Sequence, residues 1–372
     1  MKISFERESF LSSFQTAATV APTRSPKPIL QNVKLESIDG NSILTATDME
    51  VGVRLHVNGV EVQAPGSVIL PVSRFGSLLR ESSDEKLSIE TDDKGTTVKG
   101  SSSRFKLPGE NPDEFPTVAT FDEKDYVEVE SRVLKRLIKR TLFATDTESS
   151  RYALGGVLLE FDKERIIAVG TDGRRLAKME GPAKAVGKAK SGDSMTIVPT
   201  KSMQLIERAL PDNEDIVKIA ARTNDVLIKI PAGVIYSRLV EGRFPKWQEV
   251  FPNRQNSVKL ELPVGPLFSA LRQAAIVVNE ESRGIDFTFE KGTLVLSNNT
   301  AEVGESRVEM PIAYEGEAIT VTLDHGFFAD FLKVLDPQKT FTIDIEGPET
   351  AATCSTDDGY GYVIMPLSRD RG

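Results

Sequence analysis

Few residues in this chain could do covalent chemistry. The only imidazoles are His56 and His325. Neither has a partner at metal-ligand spacing, so each reads as a surface or cap residue rather than a general base or zinc ligand. Cys354 is the sole cysteine, which excludes an internal disulfide, a zinc cluster and a redox pair. There is no phosphate-binding glycine loop of Walker type, no G-x-S-x-G elbow and no H-E-x-x-H helix. Adjacent acids at Asp92-Asp93, Glu280-Glu281 and Asp357-Asp358 are the groups that acid/base catalysis would use. Side by side in turns, they read as solvated charge. The expectation is therefore no catalytic residue, no metal and no cofactor, and a binding or scaffolding role.

The elements that must position such a binding surface come from a chain of 372 residues, long enough for two or three cores of ordinary size. Hydrophobic residues at 39% and charged residues at 27% give a globular balance. The densest apolar runs, Ile166 to Val169 and Ala274 to Val278, are far short of a membrane span. The charged start Met1-Lys2-Ile3-Ser4-Phe5-Glu6-Arg7-Glu8 lacks the apolar core of a signal peptide, so a soluble, cytoplasmic protein without membrane partners is expected. The net charge of −9 opposes a protein that grips phosphates tightly. It is compatible with one that closes around nucleic acid, for which tight contact would hinder sliding.

One block is written three times. It opens with a helix: Phe10-Leu11 with Phe14 and Ala17-Ala18, then Val133-Leu134 with Leu137-Ile138 and Leu142-Phe143, then Leu267-Phe268 with Leu271 and Ala274-Ala275. Apolar residues three and four apart give each helix one buried face. A hairpin follows, as Val33 to Glu36 with Ile43 to Ala46, Val157 to Glu160 with Ile166 to Val169, and Ile285 to Thr288 with Leu294 to Ser297. Turn residues separate the paired runs. The first two hairpins run into the same dipeptide, Thr47-Asp48 and Thr171-Asp172. A strand then leads into a second helix at Phe75 to Leu79, Met203 to Leu210 and Phe327 to Leu335, and two blocks end on Phe115-Pro116 and Phe244-Pro245. The spacing predicts three tandem α+β domains at 1–124, 125–253 and 254–372, each with two helices on antiparallel sheets.

Within this pattern, Thr171-Asp172-Gly173-Arg174-Arg175-Leu176-Ala177, Leu239-Val240-Glu241-Gly242-Arg243-Phe244-Pro245 and Tyr362-Val363-Ile364-Met365-Pro366-Leu367 resemble the bacterial DNA polymerase III β subunit family, the DNA sliding clamps. Arg24 before Pro28-Ile29-Leu30, and Ser103-Arg104-Phe105, extend the likeness over the whole chain. The resemblance implies a non-enzymatic processivity subunit, a head-to-tail homodimeric ring around double-stranded DNA. Its implied partners are the replicative polymerase α subunit, the clamp loader and other clamp-motif proteins. The basic residues Lys135, Arg136, Lys139, Arg140, Arg272, Arg74, Arg80, Lys201, Arg208 and Lys333 would line the hole. Taken singly, they read equally as solvated helix faces.

Residue by residue, the resemblance implies DNA contacts at Arg24, Arg74, Glu148, Arg151, Tyr152, Ala153 and Lys201. Ala153 stands where the family has a second aromatic, and Glu148 where a neutral amide is familiar. It implies a partner-peptide pocket at Leu154, Thr171, Gly173, Arg174, Arg175, Leu176, Pro245, Val250, Phe327, Val363, Met365, Pro366 and Leu367, with Arg175 at the rim for an acidic group. Arg174 replaces a frequent histidine, and the tail Ser368 to Gly372 runs past the usual end. It implies a subunit contact of Arg74, Leu78, Phe105 and Leu107 with Ile276 and Val277, although the last two equally suit the core of their own helix. A peptide-binding scaffold that never meets DNA is the rival reading, and the net charge suits it.

Overall fold

The computed structural model describes residues 1–38, 40–92, 95–146, 153–189, 195–251, 254, 257–279, 283–300 and 303–368. Among these, the α-helices are α1 (Arg7–Ala18), α2 (Val72–Glu81), α3 (Ser131–Thr141), α4 (Thr200–Ala209), α5 (Val264–Ala274) and α6 (His325–Lys333). Odd-numbered helices open the three repeats and even-numbered ones follow the hairpins, as the periodicity predicts. Buried residues recur at helical spacing: Phe10, Phe14 and Ala17 on α1, Phe75, Leu78 and Leu79 on α2, and Phe328, Phe331 and Leu332 on α6. Each such side chain contributes about 1.5 to 3 kcal/mol by leaving water. In the first repeat these faces meet directly, with the Phe14 and Phe75 rings edge to face at 5.1 Å.

Helix ends depart from the expected limits. Leu142 and Phe143 leave α3 for a 3-10 turn, Leu142–Ala144. The helix α4 stops at Ala209, with Leu210 extended at φ −81° and ψ 123°. The helix α6 stops at Lys333, short of Leu335, because Pro337 follows and disfavours helical geometry at Asp336. Its start is better defined: the Asp324 carboxylate accepts from the amides of Gly326 at 2.8 Å and Phe327 at 3.1 Å, satisfying two donors that the first turn leaves free.

By contact the chain resolves into two compact units. One comprises Met1–Lys135, Phe161–Glu164 and Pro182–Glu241, the other Arg136–Glu160, Arg165–Gly181 and Gly242–Gly372. Neither coincides with a repeat, because strands of neighbouring repeats pair. In the first unit the fourth strand of repeat one, Val51–His56, pairs antiparallel with the last strand of repeat two, Gly233–Arg238, from Gly233 opposite Leu55 to Ser237 opposite Val51. That pairing joins both repeats into one nine-stranded sheet. In the second unit the fourth strand of repeat two, Arg175–Pro182, pairs in the same way with the last strand of repeat three, Gly361–Ile364.

One strand of each of these two types has a free edge. The last strand of repeat one, Arg104–Leu107, is the outer strand of a five-stranded sheet. The fourth strand of repeat three, Gly304–Pro311, is the outer strand of a four-stranded sheet.

Candidate functional site

The turn Thr171-Asp172-Gly173-Arg174 joins two strands by side-chain bonds that its residue types dictate. The Thr171 hydroxyl donates to the Arg175 carbonyl at 2.6 Å and accepts from the Gly173 amide at 3.1 Å. One Asp172 oxygen accepts from the amides of Arg174 at 2.9 Å and Arg175 at 3.0 Å. Such short polar side chains make turns by replacing backbone acceptors. Gly173 sits at φ +87°, where a residue with a Cβ is strained.

The turn fixes the first strand residue after it, Arg175, which is buried at 9% exposure. Its guanidinium donates to Asp172 at 3.0 Å, to Asp330 on α6 at 2.9 Å and to the Phe143 carbonyl at 2.6 Å. Its charge also lies over the Phe327 ring, 4.2 Å from the centroid, an attraction to the ring's negative face. Arg175 is therefore a strut rather than the rim cation expected from sequence. The cation left exposed is Arg174. Tyr362 closes the floor: its ring stacks on Phe331 at 4.8 Å and its hydroxyl donates to the Phe327 carbonyl at 2.9 Å.

Above this floor the C-terminal segment runs as a strap. The Met365 amide donates to the Arg174 carbonyl and the Leu367 amide to the Thr322 carbonyl, each at 2.9 Å. Met365 and Leu367 keep 46% and 36% of their surface exposed, which leaves adaptable apolar side chains at the surface. Pro245 and Val250 are exposed, Phe327 and Pro366 half-buried, and Gly173 exposed, whereas Leu154, Thr171, Leu176 and Val363 are buried. Of the predicted pocket, Thr171, Arg175, Phe327, Val363, Met365 and Leu367 are thus tied to this turn, strand and strap by bonds or pairing. Sequence reasoning missed Asp330, Phe143 and Tyr362, which hold Arg175 and Phe327 in place. Trp247, buried beside Val250 with its ring edge to face against Phe251 at 6.3 Å, was also missed.

Of the expected DNA contacts, Arg24 and Arg74 are exposed. The Lys201 ammonium is exposed but bonds the Asp48 carboxylate at 2.5 Å. Burial tends to raise the Asp48 pKa, yet the bonds from Lys201 and from the Val51 and Glu50 amides outweigh it and hold the carboxyl below its ordinary range. Ala153 is a correction: it is 1% exposed and packs toward Gly242, so a side chain of one methyl group there faces the protein, not a ligand. Glu148, Arg151 and Tyr152 lie outside the described residues, as do Arg369 to Gly372 of the tail.

The expected subunit edge forms one surface. Arg74, Leu78, Phe105 and Leu107 line a groove of about 500 Å³ along the free strand Arg104–Leu107. Ile276 is 77% exposed on the short turn Ala275–Val277, which removes the alternative that it fills its own core. Val277 lies against Gly304, at the start of the other free strand.

Three tandem copies of one α+β unit, joined by strand pairing between neighbouring copies, are the architecture of the DNA-clamp class. Profiles for the N-terminal, central and C-terminal domains of the DNA polymerase III beta subunit match residues 1–119, 128–246 and 248–368. The beta sliding clamp of Chlamydia pneumoniae is 30% identical over 369 residues, with 99% of each chain covered. That of Chlamydia muridarum is 32% identical over 334 residues, covering 90% of each. A crystal structure of the Pseudomonas aeruginosa sliding clamp bound to griselimycin superposes with a TM-score of 0.91 at 27% identity, covering 99% of this chain and 100% of that one. The chain belongs to the DNA polymerase III beta subunit family, whose members are non-catalytic processivity factors.

Proposed function

We propose that two copies of this chain, each with domains 1–124, 125–253 and 254–372, close head to tail around duplex DNA and tether the replicative polymerase and the clamp loader through the site around Arg175. The observation that carries this is the strand pairing. Twice within the chain a last strand pairs with the fourth strand of the preceding repeat, and one strand of each type is left with a free edge. Joining Arg104–Leu107 of one copy to Gly304–Pro311 of another would repeat the joint, and doing so twice would close the assembly. Each free edge carries supporting chemistry. Phe105 and the groove stand at one edge, Ile276 at the other, and Arg104 and Lys106 oppose Glu305 in charge, Glu309 being paired with Arg307 of its own strand.

Encirclement also accounts for the net charge of −9, because topology rather than phosphate affinity would retain the DNA. Arg24 and Arg74 supply weak contacts of the kind that position a duplex without reading its sequence, and Lys201 would join them on releasing Asp48. Exposed Met365 and Leu367, with Arg174 beside them, suit short partner segments carrying two apolar side chains and a polar anchor.

Light scattering should give a dimer at micromolar concentration. After loading, the protein should stay on a closed DNA circle at salt that strips ordinary phosphate binders, and leave once the circle is cut. A monomer, or equal loss from circles and linear DNA, would leave only a peptide-binding scaffold.

A further inference from the structure

The turn Thr47-Asp48-Met49-Glu50 copies the turn beside Arg175 bond for bond. The Thr47 hydroxyl donates to the Val51 carbonyl at 2.8 Å and accepts from the Met49 amide at 2.9 Å. One Asp48 oxygen accepts from the amides of Glu50 at 3.0 Å and Val51 at 2.8 Å. Even the backbone agrees, with Met49 at φ +79° where the other turn has Gly173 at +87°. The positions that follow differ in chemistry. Val51 stands where Arg175 does, and, counted from the helix starts Thr200 and His325, Leu205 corresponds to Asp330 and Ser202 to Phe327. An ion pair capped by an aromatic ring is thus replaced by two aliphatic side chains and a small buried serine.

Smaller side chains at equivalent places leave room. A cleft of about 190 Å³ opens there. Val20, Val51 and Leu205 are its buried apolar lining, and Lys201, Gln204 and Arg208 its exposed rim. Lys201 is already neutralised by Asp48. Arg208 has no hydrogen-bond or ion-pair partner among the described residues, so the rim has one cation to offer.

We infer that this cleft is a second, smaller docking site, the internal counterpart of the one around Arg175, for a partner segment that sets one carboxylate beside one aliphatic side chain. Arg208 takes the carboxylate and the apolar lining takes the side chain. A nucleic-acid phosphate would use the cation but gain nothing from Val20, Val51 and Leu205, so the observations favour the peptide. The inference rests on the repeated turn and on reading the site around Arg175 as a peptide site.

The probe is a fluorescein-labelled, C-terminally amidated Gly-Ser-Asp-Leu-Gly peptide, titrated against the full-length protein by anisotropy. An excess of an unlabelled peptide with a Gln anchor and a Leu-Phe end keeps the first site occupied. Saturable binding with a dissociation constant on the order of 100 μM to 1 mM is expected for so small a contact. Arg208→Glu should weaken it roughly tenfold or more by reversing the charge partner, and Arg208→Lys should restore most of it. Exchanging the peptide's Asp for Asn or its Leu for Ala should each cost affinity. Arg208 is exposed, so these variants fold, and a circular dichroism melt checks that they do. No saturation at millimolar protein overturns the proposal, as does binding indifferent to Arg208→Glu. So does a Leu-to-Ala peptide that binds equally and is displaced by a short DNA duplex, which would make the cleft a phosphate site.

Discussion

Replacing Ile276 with Asp is the sharpest probe of the proposed subunit contact, because its effect can be worked out from exposure. Ile276 is 77% exposed in the single chain, so its own fold gains little from it. Fully burying an isoleucine side chain contributes about 1.5 to 3 kcal/mol, and 77% of that is about 1.2 to 2.3 kcal/mol. A closed pair makes the contact twice, so loss of apolar burial alone removes about 2.3 to 4.6 kcal/mol from association. At about 1.4 kcal/mol per decade, the dimer dissociation constant should rise roughly 50- to 2000-fold. A carboxylate set against Leu78, Phe105 and Leu107 would add a desolvation cost to this. Sedimentation equilibrium from nanomolar to micromolar protein reads the constant directly, and the monomer's melting temperature should be unchanged. A dissociation constant within tenfold of the unmodified protein's would refute the assignment of Ile276 to the interface.

Three further outcomes follow from the geometry. Trp247, the only tryptophan, is buried beside Val250, so its emission should shift saturably when a peptide with a Leu-Phe end binds, and deletion of Met365 to Gly372 should abolish the shift while leaving a dimer by light scattering. Gly173→Ala should lower stability by about 1 kcal/mol in denaturant titration, because no atom lies within 4 Å of an added Cβ and the cost is that of the backbone at positive φ alone. Asp358 bonds Arg140 at 2.7 Å; burial pushes its pKa up, but the bonds from Arg140 and Thr356 and the nearby Arg136 prevail and lower it. Its folded pKa is thus below the unfolded value, so its contribution is present above about pH 3.9 and lost as pH falls below it. Asp358→Asn should accordingly lower the melting temperature at pH 7 and have little effect near pH 2.

What could be read from the sequence was local. The apolar spacing of Phe10, Phe14 and Ala17, or of Phe328, Phe331 and Leu332, depends on neighbours within a turn or two, and those helices form where expected. The Thr-Asp dipeptides at Thr47 and Thr171 likewise announced a shared turn, since every bond in it spans at most four residues. The fate of Arg175 was not legible. Its partner Asp330 lies 155 residues away, and nothing near Arg175 in sequence reveals that its donors are already used. Lys201 and Asp48 are 153 residues apart, with the same result. Ala153 was placed by likeness to a family position, and its burial follows from Gly242, which no local pattern connects to it. The strand pairing between repeats was equally silent, because Val51–His56 and Gly233–Arg238 carry no mark of each other.

That pairing has a consequence for how the chain tolerates change. The joint from Gly233 opposite Leu55 to Ser237 opposite Val51 is made by main-chain amides and carbonyls, which every residue except proline supplies in full. Most positions of such a seam tolerate any side chain that alternates between core and solvent, but not Gly233, where an added Cβ would clash with the Arg54 carbonyl oxygen. Relatives can then drift to 27% identity and still superpose at a TM-score of 0.91. It also makes the repeats interchangeable parts: a hybrid taking its first repeat from one relative and the remainder from another would be stitched together by the same backbone ladder, and only the side-chain sites on either side would betray the exchange.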